Sequence, residues 1–214
     1  MKRATALAMI VAPLLWVASA LASPPLQSDN AAQVATIARH PDRWYWYALL
    51  TLAGSIVVVA ALAGLVTRLK ARDARAAYLG GTLAQLGALI AVGDSATELL
   101  VWQTGAPGAD QSQMAALLSR YDAAPGASIV FTVGGLAMIA GMVVLAVGLI
   151  RTRTAPAWAA ALLPIATVLN IVAFGAASQA LLVVSYLLLL AAFARIAAPD
   201  VAPGGLAPAP QPAG

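Results

Sequence analysis

Long apolar runs separated by short polar stretches dominate this chain. Six stand out: Ala4–Ala22, Trp46–Val66, Ala77–Trp102, Ser128–Ile150, Ala157–Phe174 and Gln179–Ala194. Each is close to the ~20 residues a helix needs to cross a hydrocarbon layer about 30 Å thick. The last two are joined by a few residues around Gly175–Ser178, which predicts a tight hairpin. The expected fold is therefore all-α, an integral membrane bundle of six transmembrane helices over residues 1–198. Residues 199–214 hold Pro199, Pro203, Pro208, Pro210 and Pro212 among Gly and Ala. That composition predicts a disordered tail.

Two polar connections carry shorter helical signals. Ser28-Asp29-Asn30 can cap a short helix running to about Arg39, which Pro41 stops. Asp110 can cap another through about Tyr121, with Met114, Leu117 and Leu118 on one face. Both are expected to lie on the membrane surface, apolar side down. In each, an aspartate precedes an arginine by ten positions, Asp29 to Arg39 and Asp110 to Arg120. The likeness hints at a duplicated helix–loop–helix unit, although Ala-rich composition alone accounts for it.

Composition excludes a water-soluble fold. Of 214 residues, 62% are hydrophobic and 9% charged, whereas soluble domains carry about 25% charged residues. Cysteine is absent, which removes disulfides, thiolate metal sites and thiol nucleophiles. The single histidine, His40, removes a haem held by two histidines and any His-rich metal centre. No cofactor is expected. The net charge of +4 would point to nucleic acid in a soluble protein, but here its placement matters more.

Nine of the 12 basic residues lie on one side of an alternating topology: Lys2, Arg3, Arg68, Lys70, Arg72, Arg75, Arg151, Arg153 and Arg195. Arg39, Arg43 and Arg120 lie on the other. Basic loops stay in the cytoplasm, so both termini are expected there, in a bacterial inner (plasma) membrane. The N-terminus carries a second reading. Lys2-Arg3, an apolar run and Ala20-Leu21-Ala22 before Ser23-Pro24-Pro25 also fit a cleaved signal peptide, which would leave five spans. The length of the run favours a retained helix. Trp44, Tyr45, Trp46, Tyr47 and Trp102 mark the outer border, and Tyr78 and Trp158 the inner one. Rings at these levels are expected to anchor at the headgroups, with an aromatic ligand cage as the functional alternative.

Asp94 and Glu98 are the acidic residues inside a predicted span. An intramembrane carboxylate is costly to place, which makes the pair a candidate polar site. Four residues apart, they share one helical face. They continue two stripes of small residues, Gly80–Gly87–Asp94 and Ala84–Ala91–Glu98, and should therefore point into the bundle. At 1.5 Å per residue, Asp94 lies about 12–14 Å and Glu98 about 6–8 Å below the outer end of the helix. Such a pair can hold a proton or a cation. It can equally be structural, paired with Arg39, Arg43 or Arg120 as candidate charge partners.

Other polar groups read as packing. Gln85 lies on the opposite face of its helix from Asp94, at about 180°. Asn170, Ser185 and Tyr186 suit interhelical hydrogen bonds, and Pro164 should kink its span. Gly134, Gly141 and Gly148 form a stripe that allows close helix approach, within the chain or across a dimer. Met138 and Met142 lack the further thiolate, thioether or imidazole ligands that copper(I) needs, so core packing is expected. Phosphate-loop, zinc-protease, nucleophile-elbow and nicotinamide motifs are missing, and no enzymatic activity is expected.

The segment Arg151-Thr-Arg153-Thr-Ala-Pro156-Ala-Trp158, the polar loop after the first span and the Ala/Leu/Gly-rich spans resemble small uncharacterised multi-pass membrane proteins of GC-rich bacteria, of the domain-of-unknown-function type. The resemblance implies a topology and no mechanism. Two functional expectations follow from the residues. The leading one is a non-enzymatic interaction or accessory component, whose partners are the bilayer and a membrane protein or a second copy. The alternative is a small transporter or a proton- or cation-responsive protein using Asp94 and Glu98. A third class, a lipid-headgroup enzyme, would need His40 to converge on the two acids.

Overall fold

Backbone groups inside a bilayer must be satisfied within their own segment, and long helices are the outcome. The computed structural model describes residues 3–201 as eight helices, with no strand among the described residues. They are α1 (Arg3–Ala22), α2 (Asn30–Arg39), α3 (Pro41–Lys70), α4 (Ala74–Gln103), α5 (Gln111–Asp122), α6 (Pro125–Arg151), α7 (Ala157–Gly175) and α8 (Gln179–Val201). All except α2 and α5 are long and apolar enough to cross a membrane, and the chain is a multi-pass membrane protein.

The short helices start where their side chains cap them. Asp29 accepts the Ala32 amide at 2.8 Å, and Asp110 accepts those of Ser112 and Gln113 at 2.9 and 3.1 Å. Pro41 opens α3 as well as ending α2, since its missing N–H is of no consequence in a first turn. Both α6 and α7 end with a residue in the left-handed region, Arg153 (φ 53°) and Ala177 (φ 46°). There the Thr154 and Ser178 amides reach back to the Leu149 and Ala173 carbonyls, the Schellman closure that turns the chain within a few residues. α8 continues through Pro199 to Val201, so the first residues of the expected tail are helical. The rest of that tail, from 202, lies outside the described residues.

Neighbour relations close into a circuit, α1–α3–α4–α6–α7–α8 and back to α1. One end of the bundle bears Arg3, Arg68, Lys70, Arg72, Arg75, Arg151 and Arg153; it is called the basic end below. The other carries α2 and α5, which touch each other through Asn30, whose amide donates to Ser119 and Asp122. The two ends are packed differently. A continuous core fills the basic half, with Met9, Leu62, Leu65, Leu69, Leu145, Leu149, Leu163, Phe193 and Ile196 all buried. There α3 also reaches α6 across the circuit, with Leu69 against Gly148.

The predicted glycine stripes meet from this half to the middle of the bundle. A Cβ on Gly87 would lie 2.7 Å from the Gly134 carbonyl oxygen, and one on Gly141 would collide with the Ala84 amide and the Gly80 carbonyl. The stripes are thus consumed inside the chain, by the α4–α6 seam. Towards α2 and α5 the core divides. Ala20, Ala173, Leu182 and Tyr186 join α1, α7 and α8, whereas Ile37, Trp44 and Tyr47 join α2 and α3 with Val101 and Trp102 of α4 packed against them. α6 belongs to neither cluster, and none of its residues from 125 to 133 is buried.

Candidate functional site

The gap between the two clusters is where the intramembrane acids stand. Ser95 faces α3, its hydroxyl 2.8 Å from that of Ser55. This buried pair fixes the rotation of α4, and Glu98, three residues further on, turns towards the middle of the circuit. Glu98 lines a cavity of ≈ 120 Å³ together with Leu26, Gln27, Gln33, Trp44, Tyr47 and Phe174. These residues come from the α1–α2 connection and from α2, α3, α4 and α7. Among the described residues, Oε2 of Glu98 is buried without a hydrogen-bond partner, as are Nε1 of Trp44 and Oγ1 of Thr51. The Trp44 N–H faces the Glu98 carboxylate without closing a hydrogen bond to it.

Asp94 sits one turn deeper and is exposed. Tyr47 of α3 and Tyr186 of α8 both lie within Coulombic range of Asp94 and Glu98. Since α8 and α4 are not neighbours in the circuit, groups that face both must look inward. Tyr186 is held by stacking on Trp16, with ring centroids 5.5 Å apart. Asn170 donates to Ser185 over 3.5 Å and ties α7 to α8 beside it.

Several expectations change here. The Gly80–Gly87 stripe packs as foreseen, but its continuation to Asp94 does not, because α6 has moved away from α4 at that level. No ion pair joins either acid to Arg39, Arg43 or Arg120 among the described residues. Arg39 donates to the Ala35 carbonyl and the Thr36 hydroxyl, close to the end of its own helix. Arg43 donates to the Ala22 and Ser23 carbonyls at 3.1 and 2.7 Å, where it serves the frayed end of α1. Arg120 stands exposed on α5. His40 lies exposed at the α2–α3 junction and does not line the cavity.

The aromatic run 44–47 divides by helical phase. Tyr45 and Trp46 are exposed and suit headgroup anchoring, whereas Trp44 and Tyr47 are each 3% exposed and line the site. Three-residue spacing was the available signal, since positions 44 and 47 share a face. Met142 is buried in the core and Met138 packs beside Gly87. No group of three or more His, Cys, Asp or Glu side chains that could hold a metal ion occurs among the described residues.

Comparison with family models, with curated proteins and with solved structures finds no match.

Proposed function

We propose that this multi-pass protein resides in a bacterial inner membrane, basic end in the cytoplasm, and binds a cation in a well open to the outer side. Glu98 is the charge that holds the cation. The observation that carries the reading is the Glu98 carboxylate: it lines a cavity, one oxygen is buried without a partner, and no arginine neutralises it among the described residues. Leaving a carboxylate in that state is expensive unless a proton or a positive ligand compensates it. Orientation rests on the nine basic residues that an alternating topology puts on one side.

An interaction or accessory role draws less support. Its main sequence argument was the glycine stripes, and these are spent on the α4–α6 seam. A packed basic half beneath the well suits a protein that responds to a cation better than one with an open path through it.

Thermal unfolding of the purified protein in detergent tests the reading, with sodium, potassium and ammonium salts compared at constant ionic strength. A ligand that binds only the folded form stabilises by about 2.7 kcal/mol at a hundred times its Kd. A cation should raise the midpoint of the wild type and leave Glu98→Gln unmoved. Equal shifts in both, or none in the wild type, would remove Glu98 as a cation site.

A further inference from the structure

The Glu98 cavity is built for one class of cation more than for others. A hard metal ion collects six or more oxygen ligands, or keeps several waters. Around Glu98 the lining is instead Leu26, Trp44, Tyr47 and Phe174, with the Gln27 and Gln33 amides, the Trp44 N–H and the Tyr47 hydroxyl as the further polar groups, too few oxygens for such a shell. Aromatic faces attract cations through their quadrupoles, most strongly when the charge is desolvated. Organic ammonium ions suit such walls because their positive charge is covered by C–H groups, which lose little on leaving water. The size also fits. A cavity of ≈ 120 Å³ is slightly smaller than the roughly 150 Å³ apolar cavity known to admit benzene, so the occupant has only a few heavy atoms.

We infer that the well takes a small organic ammonium ion, its charge against the Glu98 carboxylate and its alkyl groups against Trp44, Tyr47 and Phe174. The inference rests on the cation-binding reading above and gives its ligand class. Phe174 is contributed from across the circuit by α7 and is itself partly exposed at 46%, so it can be changed without opening the core.

The test uses methylammonium and tetramethylammonium chlorides against sodium and potassium chlorides on the full chain in detergent, read by thermal shift and by calorimetric titration. Wild type should be stabilised by an ammonium salt and not by sodium or potassium. Glu98→Gln should abolish that response. Phe174→Leu should unfold at the wild-type midpoint without ligand yet bind the ammonium ion about two- to fivefold more weakly, the range expected for one cation–π contact. If sodium or potassium acts through Glu98 and neither ammonium does, the ligand class is wrong while the cation site stands. If no cation acts through Glu98, both fall. Unchanged ammonium affinity in Phe174→Leu would also overturn the inference.

Discussion

Asp110 shows how one side chain sets an element in a molecule that is otherwise apolar. Its carboxylate accepts the Ser112 hydroxyl at 2.7 Å and the amides of Ser112 and Gln113. The Ser112 hydroxyl and the Gln113 amide hold the carboxyl below its ordinary value of 3.8. A lowered value in the folded state means that the cap contributes fully above about pH 3.8 and is lost as pH falls through the lower folded value. Hydrogen exchange of the first turn of α5 should therefore quicken in Asp110→Ala at neutral pH, and acidification should bring the wild type towards the variant. Exchange equal in the two proteins at neutral pH would show that the cap contributes nothing. Both caps, Asp29 and Asp110, were legible from sequence because capping is local chemistry: an acceptor followed by a helix-forming run. Trp44 and Tyr47 were legible only in part. The residues that bury them, Ile37 and the α4 border pair Val101 and Trp102, belong to other helices, and sequence spacing does not say which helix comes alongside.

At the level of elements, the α4–α6 seam brings backbone against backbone. A methyl on Gly141 would run into backbone, the Ala84 amide and the Gly80 carbonyl, which cannot move aside as a side chain can. Overpacking of this kind costs about 1–3 kcal/mol, more than the ~1 kcal/mol that alanine gains over glycine in a helix. Gly93, on α4, has nothing within 4 Å of a new Cβ. Gly141→Ala should thus lower the unfolding midpoint in detergent, while Gly93→Ala should leave it unchanged or raise it. Like responses at the two sites would mean that the seam is not this close. The stripe itself was visible as a seven-residue repeat. Its end was not, because α6 leaves α4 near Gly134 and the sequence of α6 stays apolar beyond that point whether it faces a helix or lipid.

The whole molecule repeats its element order. A long, short, long series occurs as α1–α2–α3 and again as α4–α5–α6, and α2 meets α5 at one end. The α7–α8 hairpin then closes the circuit against α1, where Gln179 donates to the Ala20 and Ser23 carbonyls. Six spans and their approximate borders were readable because a bilayer demands apolar length, whereas the circuit was not, since neighbour choice depends on side chains that are alike in every span. Orientation is a property of this scale as well. Alkaline phosphatase fused within residues 105–109 should be active and within residues 71–73 inactive, with a fluorescent C-terminal fusion folding in the cytoplasm. The reverse pattern would invert the proposed topology.

The shallow position of Glu98 has an electrical consequence. It lies one turn before Trp102, about 6 Å along the helix, or about a fifth of a ~30 Å hydrocarbon layer. A monovalent ion reaching it from outside crosses that share of the transmembrane voltage. At about 2.3 kcal/mol per charge per 100 mV, the share amounts to roughly 0.5 kcal/mol, or about a twofold change in affinity. On the proposed cation site and orientation, with the interior negative, the well would fill more readily in an energised cell than in a depolarised one, and its occupancy would report the state of the membrane as well as the concentration outside.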